Sequence, residues 1–218
     1  MIEQGDHIVL RCTGAECGMR YPSPADDHRR DQCPLCEAPT EVVGQYPSVP
    51  PHLPAGSTSN TVIVGVLDSI RSALNVGTML RSADGASIDH VYLCGLTAEA
   101  DHPKVIKTAL GANESVPTTS YKDISDCLAT LRSDGFEVWA IDATAASRAL
   151  ESVTSLPAKV AFVVGNELAG VDPLVLADAD RHVHLRMFGQ KSTINVGVAF
   201  GTVAYWLRSV ASPDRETY

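Results

Sequence analysis

Residues 159–173 read KVAFVVGNELAGVDP. From Val160 to Val164 the run is apolar with no polar alternation, the pattern of a strand buried on both faces, as in parallel sheets. Gly165 and Gly170 then bracket Glu167, giving a sharp turn and an exposed carboxylate at a strand end. Asp172 before Pro173 reads as a helix N-cap with proline at the first helical position. Strand, turn and helix start thus follow within fifteen residues. An ordinary strand–turn–helix connection would read the same way, so chemistry stays open at this point.

Working outward, the same alternation repeats. Strands are expected at Thr61–Leu67, His90–Leu93, Val116–Ser120, Phe136–Asp142, Lys159–Val164 and His182–Leu185. Helices are expected around Val76–Asp84, His102–Leu110, Ile124–Ser133, Pro173–Ala177 and Asn195–Val210. Alternating β and α segments give an α/β domain, a parallel sheet with helices on both faces. Such sheets place ligands at the C-terminal ends of their strands. The chain contains no G-x-G and no G-x-x-x-x-G-K-[ST], so the dinucleotide fingerprint and the P-loop are excluded.

Residues 46–60 read YPSVPPHLPAGSTSN, a proline-rich linker. It separates a module at 1–45 from the main domain at 61–212. Four of the six cysteines fall in the module, as Cys12-x4-Cys17, fifteen residues, then Cys33-x2-Cys36. That spacing suits two knuckles closing on one tetrahedral zinc. A disulfide framework is the alternative, disfavoured in a reduced compartment. Four thiolates leave no open position, so the expected ion is structural, and it would hold together a segment too short for its own core. His28 is a spare ligand candidate. Cys94 and Cys127 lie in apolar runs and read as small buried hydrophobes.

The chain of 218 residues is 44% hydrophobic and 20% charged, which excludes dominant disorder. It carries no uncharged apolar run of the roughly 18–20 residues a membrane span needs. Its opening residues show no basic n-region and no apolar h-region, so a cytoplasmic protein without membrane partners is expected. The net charge of −9 excludes nucleic-acid binding through bulk electrostatics alone. Any contact with RNA requires a local basic patch, for which Arg71, Arg81, Arg186 and Lys191 are candidates. In the module, Arg11, Arg20, Arg29 and Arg30 are the candidates, within a segment whose own net charge is negative.

Two further clusters carry chemistry. Asn75, at an expected helix start, is a capping residue, and Arg81 lies nearly two turns on, roughly on the same side. Together they can orient a phosphate or hydroxyl, or serve only as a cap and a solvated arginine. A glycine loop, Met187 to Asn195, leads into an apolar helix rich in small residues, again open to a purely structural reading.

In combination the three segments are specific. N-x-G-x-x-x-R (Asn75, Gly77, Arg81), G-x-E-x-x-G (Gly165, Glu167, Gly170) and M-x-G-x-x-x-[S/T]-x-N-V (Met187, Gly189, Thr193, Asn195) resemble the signature motifs of the SpoU (TrmH) branch of the SPOUT RNA methyltransferases. The resemblance covers residues 61–210. It implies a C-terminal trefoil knot that binds S-adenosylmethionine, a homodimer, and methyl transfer to a ribose 2′-hydroxyl of tRNA or rRNA. It implies catalytic roles for Asn75, Arg81, Glu167, Thr193 and Asn195, with Arg81 acting across the dimer interface. Gly165, Leu185, Met187 and Ile194 match cofactor-binding positions, and Thr144 is a further candidate. Where the family usually has Ser-Leu-Asn-Val-Ser, this chain has Thr193-Ile-Asn195-Val-Gly197. Threonine keeps the hydroxyl, but substrate geometry changes. An N-terminal zinc ribbon also departs from many members and is expected to recognise RNA or protein. The competing readings are a knotted methyltransferase with a non-RNA substrate and a non-catalytic zinc-ribbon binding protein.

Overall fold

A computed structural model describes residues 7–46 and 59–212; the opening residues and nearly all of the proline-rich stretch lie outside them. The chain divides into two compact units, Met1–Ala55 and Gly56–Tyr218.

In the first unit, β1 (His7–Cys12), β2 (Arg20–Pro24) and β3 (Thr40–Gln45) form an antiparallel sheet in the order β2-β1-β3. Along β1, Ile8, Leu10 and Cys12 point inward while His7 and Arg11 are exposed, the period-2 pattern of a one-sided sheet. Arg11 stands opposite Arg20 on one side and Glu41 on the other. Buried apolar side chains here are few, chiefly Ile8, Leu10, Cys12 and Cys33. So small a core needs a cross-link to hold it.

The second unit is built on seven strands in the order β6-β5-β4-β9-β7-β10-β8, paired parallel throughout. They are β4 (Val62–Asp68), β5 (His90–Cys94), β6 (Thr118–Tyr121), β7 (Glu137–Ile141), β8 (Arg148–Ala149), β9 (Lys159–Val164) and β10 (Arg181–His184). One face is covered by α1 (Ala73–Gly85), α2 (Pro103–Ala109) and α6 (Val196–Ala211). The other carries α4 (Ile124–Ser133) and α5 (Pro173–Asp178). A single turn, α3 (Ala112–Ser115), follows α2.

Alternation along β4 sorts the two cores. Ile63 and Leu67 join Met79, Leu80, Phe200 and Leu207 on the α1/α6 face. Val64 and Val66 join Leu128, Leu131 and Val175 on the other. Between Ile63 and Leu67, Gly65 makes room for α6: a Cβ there would lie 2.7 Å from Phe200 Cε2. Phe200 therefore packs onto the strand backbone, its ring centroid 5.0 Å from that of Phe162. Cys94 and Cys127 are both fully buried in the α4 core, as small hydrophobes should be.

The expected elements are present with shifted ends. Helix α4 has the expected bounds. Helix α1 instead begins three residues early, with Ser72 as its N-cap accepting from Asn75 N at 3.3 Å. Asn75 therefore does not cap α1. Strand β8 and helix α3 are additions, too short to leave a periodic pattern in sequence.

Candidate functional site

The C-terminal ends of β7, β9 and β10 open onto a cavity of about 600 Å³. Gly165, Leu185, Met187 and Ile194, the expected cofactor residues, line it, together with Glu167, Thr193 and Asn195. Thr144 is not on its wall. Its amide is taken by Ser147 Oγ at 3.1 Å and its hydroxyl lies 3.4 Å from His182 Nδ1, within the turn after β7.

A chain of hydrogen bonds joins the three motif segments at this end of the sheet. Asn195 Nδ2 donates to Asn75 Oδ1 at 3.3 Å, and Asn75 Nδ2 donates to Glu167 Oε1 at 3.0 Å. The Glu167 carboxylate also accepts the backbone amides of Arg71 at 2.8 Å and Ser72 at 3.1 Å. Those amides open α1, so Glu167 supplies an anion where the helix dipole favours one. Partial burial raises the Glu167 carboxyl, but the amides of Arg71 and Ser72 and the Asn75 donor outweigh it and hold the group below the ordinary carboxylate range. It is thus ionised at neutral pH, an acceptor and not a proton donor.

Asn195 does two things. Its Oδ1 accepts from Gly197 N at 2.8 Å and Val198 N at 3.3 Å, capping α6, while its amide reaches Asn75. Arg81 lies outside this chain, further along α1 with its side chain exposed, and it is not on the cavity wall. Two motif glycines are explained by close approach. A Cβ on Gly165 would lie 2.2 Å from the Gly170 carbonyl oxygen, and one on Gly77 2.3 Å from the Val105 carbonyl oxygen of α2.

Several supporting residues escape a motif-based reading. Asn166 Nδ2 donates to the Ser69 carbonyl at 2.8 Å, and its Oδ1 accepts from Leu168 and Ala169. Ser69 is held at φ +54°, a conformation costly for a residue with a side chain. Thr97, buried after β5, accepts from Ile70 N and donates to the Leu67 carbonyl. Asp142 Oδ2 accepts from Val171 N at 3.2 Å, tying β7 to the β9–α5 turn. The signal for Asn166 was present, as a side-chain amide inside a glycine-bracketed turn; nothing local marks Thr97.

In the first unit the four cysteines converge as expected. Their sulfur atoms all lie within 4.8 Å of one another, with Cys12–Cys36 at 3.4 Å and Cys17–Cys33 at 3.8 Å. Backbone amides point at these sulfurs, among them Gly14 N to Cys12 at 3.3 Å and Leu35 N to Cys33 at 3.4 Å. His28 stands apart, solvent-exposed beside Asp27.

The sequence profile of the SpoU rRNA Methylase family matches residues 62–205. The 23S rRNA (guanosine(2553)-2′-O)-methyltransferase RlmP of Bacillus subtilis is 30% identical over 159 residues, 72% of this chain and 62% of that protein. The chain spans about three-fifths of the length of such relatives. An AdoMet-bound rRNA methyltransferase from Sinorhizobium meliloti superposes with a TM-score of 0.64 at 22% identity, over 70% of this chain and 57% of that one. A TrmH/SpoU tRNA modifying enzyme from A. aeolicus gives 0.60 at 24%, over 69% and 76%. Likeness at that identity establishes the fold alone, an α/β domain on a parallel seven-stranded sheet. With the profile spanning most of the second unit and all three motifs gathered at one end of its sheet, the chain belongs to the SpoU methylase family.

Proposed function

We propose that the protein is an S-adenosylmethionine-dependent RNA methyltransferase acting on a ribose 2′-hydroxyl of tRNA or rRNA. One observation carries the reading: Asn195, Asn75 and Glu167, one from each motif, form a continuous hydrogen-bonded chain beside the cavity. The cavity's volume falls in the range of roughly 300–1,000 Å³ that accepts small molecules. Its wall combines apolar Leu185, Met187 and Ile194 with backbone groups around Gly165, the mixture that grips an adenosine and a methionine chain. When bound there, the cofactor supplies an electrophilic methyl group and no metal is required.

The chain's own residues position the nucleophile. Glu167 fixes the opening of α1 and the Asn75 amide, which in turn orients Asn195. Thr193, on the cavity wall, offers a hydroxyl to the incoming ribose. Arg81 stays protonated at neutral pH and stabilises the developing oxyanion, with an RNA phosphate, more readily than it removes a proton. Its exposed position on α1 fits action on the site of a second subunit. Exposed Leu74 on α1 and exposed Val198 and Tyr205 on α6 support homodimerisation through that face.

The sheet order supports a C-terminal trefoil knot: β9 lies between β4 and β7, β10 beyond β7, and the segment leaving β10 returns to α6 against α1 and β4. The first unit, about residues 1–45, we read as a structural zinc ribbon joined by the linker at 46–60 to the methyltransferase domain at 61–212. A tetrahedral ion with Zn–S of 2.3 Å requires sulfurs about 3.8 Å apart, close to the spacing present. Arg11, Arg20, Arg29 and Arg30 are all exposed on this unit and suit an RNA-recognition role.

Calorimetric titration of S-adenosylmethionine, followed by methyl transfer to RNA from a strain lacking the protein, tests the reading. Binding at up to one cofactor per chain, with methylation of the deletion-strain RNA, is expected. Binding with no RNA methylated would move the substrate outside RNA, and no binding by the folded protein would overturn the enzyme.

A further inference from the structure

Phe188 is 87% exposed, more than any other large apolar side chain among the described residues. It stands in the segment leaving β10, and its neighbours Leu185, Met187 and Thr193 line the cavity. The Arg186 guanidinium carbon lies 5.5 Å from the ring centroid, and Arg186 Nε is paired with Glu151. That ion pair holds the cation against the ring and leaves the rest of the ring to solvent. Lys191, also exposed, follows three residues later in the same segment. The elements are thus an open aromatic face, a guanidinium fixed beside it, a second cation nearby and a cavity for the reacting group.

We infer that Phe188, backed by Arg186, is a stacking platform for a base of single-stranded RNA adjoining the nucleotide presented to the cavity. The inference rests on the RNA methyltransferase reading above and names how its substrate is held. Aromatic rings recognise unpaired bases by stacking, because every base has a π face, and neighbouring cations take the phosphates. This arrangement also answers the net charge of −9. A surface that repels RNA in bulk requires local contacts, and stacking is insensitive to that field.

The test is fluorescence anisotropy of end-labelled oligouridylate and oligoadenylate with the full-length protein, Phe188→Ala and Phe188→Trp, alongside titration of S-adenosylmethionine. Phe188→Ala is expected to weaken oligonucleotide binding about 5- to 150-fold, with Phe188→Trp restoring it and cofactor affinity unchanged in both. Wild-type binding that Phe188→Ala leaves intact would overturn the platform while the RNA reading stands. No oligonucleotide binding by the wild type would overturn the platform, while the RNA reading stands or falls separately on methylation of the deletion-strain RNA. Loss of cofactor affinity alone would assign the ring to the cofactor wall, and loss of self-association alone would assign it to a contact between copies; either result overturns the proposal.

Discussion

The side-chain amide of Asn75 donates to Glu167 at 3.0 Å across ninety-two residues of sequence. The same carboxylate takes the amides of Arg71 and Ser72, so the opening of α1 is completed by a residue from the turn after β9, the strand paired directly with β4. Closing this contact brings the strand-end turn after β9 onto the loop after β4. Folding of the two motifs is therefore coupled, and a change at Glu167 should be felt in stability as well as in chemistry.

Glu167→Gln keeps the shape and removes the charge. The glutamine has one acceptor oxygen for donors that now share two, and its own NH₂ faces an N–H. The expected loss is about 1–2 kcal/mol in denaturant unfolding, modest because the carboxylate is exposed. The pH dependence has a definite sign. A carboxyl whose folded pKa is depressed stabilises the fold above its unfolded value, near 4.3, and that stability disappears as pH falls through the folded pKa. The gap between wild type and Glu167→Gln should be full at pH 7 and narrow below about pH 4.3. A gap that widens in acid would show that the carboxylate is not held ionised by these donors.

The boundary of α1 shows where sequence stops being legible. Ser72 and Asn75 are both good N-caps three residues apart, and no local rule chooses between them. The choice is made by Glu167, whose demand for an amide donor takes Asn75 for a tertiary contact and leaves the cap to Ser72. The parallel sheet, by contrast, was legible because Val160–Val164 is apolar on both faces, and both faces are covered. Asn75, Glu167 and Asn195 were legible as motif positions, but their direct linkage was not. The turn at Thr144 depends on Ser147 and His182, a pairing that spacing cannot reveal. Phe188 carries no periodic signal at all, since it lies between elements.

The packing of Phe200 on Gly65 predicts a reversal of sign. Phe200→Ala removes a fully buried ring and should cost about 3–5 kcal/mol. In the wild type, Gly65→Ala places a methyl 2.7 Å from Phe200 Cε2 and should destabilise by about 1–3 kcal/mol. In the Phe200→Ala background that space is open, and the same methyl should be neutral or stabilising. Urea unfolding of the four proteins completes the cycle. Independent, additive losses would mean that α6 does not sit on β4 as described.

For the first unit, chelation is the informative experiment. Among the described residues Ile8 and Leu10 are nearly its whole aliphatic core, so on the zinc-ribbon reading proposed above a bound ion supplies the rest of its stability. Removing the metal with a strong chelator should abolish exchange protection of the β1–β3 amides, while those of β4, β5 and β9 stay protected. One zinc per chain in the purified protein, lost in Cys33→Ser, is the accompanying measurement. Unchanged protection after full metal removal would show that the sheet holds without an ion.

Arg81 and Gly165 together decide whether the site is shared between subunits. Arg81→Ala should retain S-adenosylmethionine binding and lose methyl transfer, since the side chain is exposed and away from the cavity wall. Gly165→Ala should lose the cofactor, because its Cβ would fall 2.2 Å from a backbone oxygen that cannot move without opening the turn. If Arg81 serves the partner's cofactor, a dimer containing one variant of each kind keeps one complete site. That site has an intact cavity from the Arg81→Ala chain and an intact arginine from the Gly165→Ala chain. For the homodimer proposed above, unfolding and refolding the two inactive proteins together gives mixed dimers in about half of the population, and activity should return to about a quarter of wild type. If Arg81 acts within its own chain, every site in the mixture carries one defect, and the refolded mixture should remain as inactive as its parents.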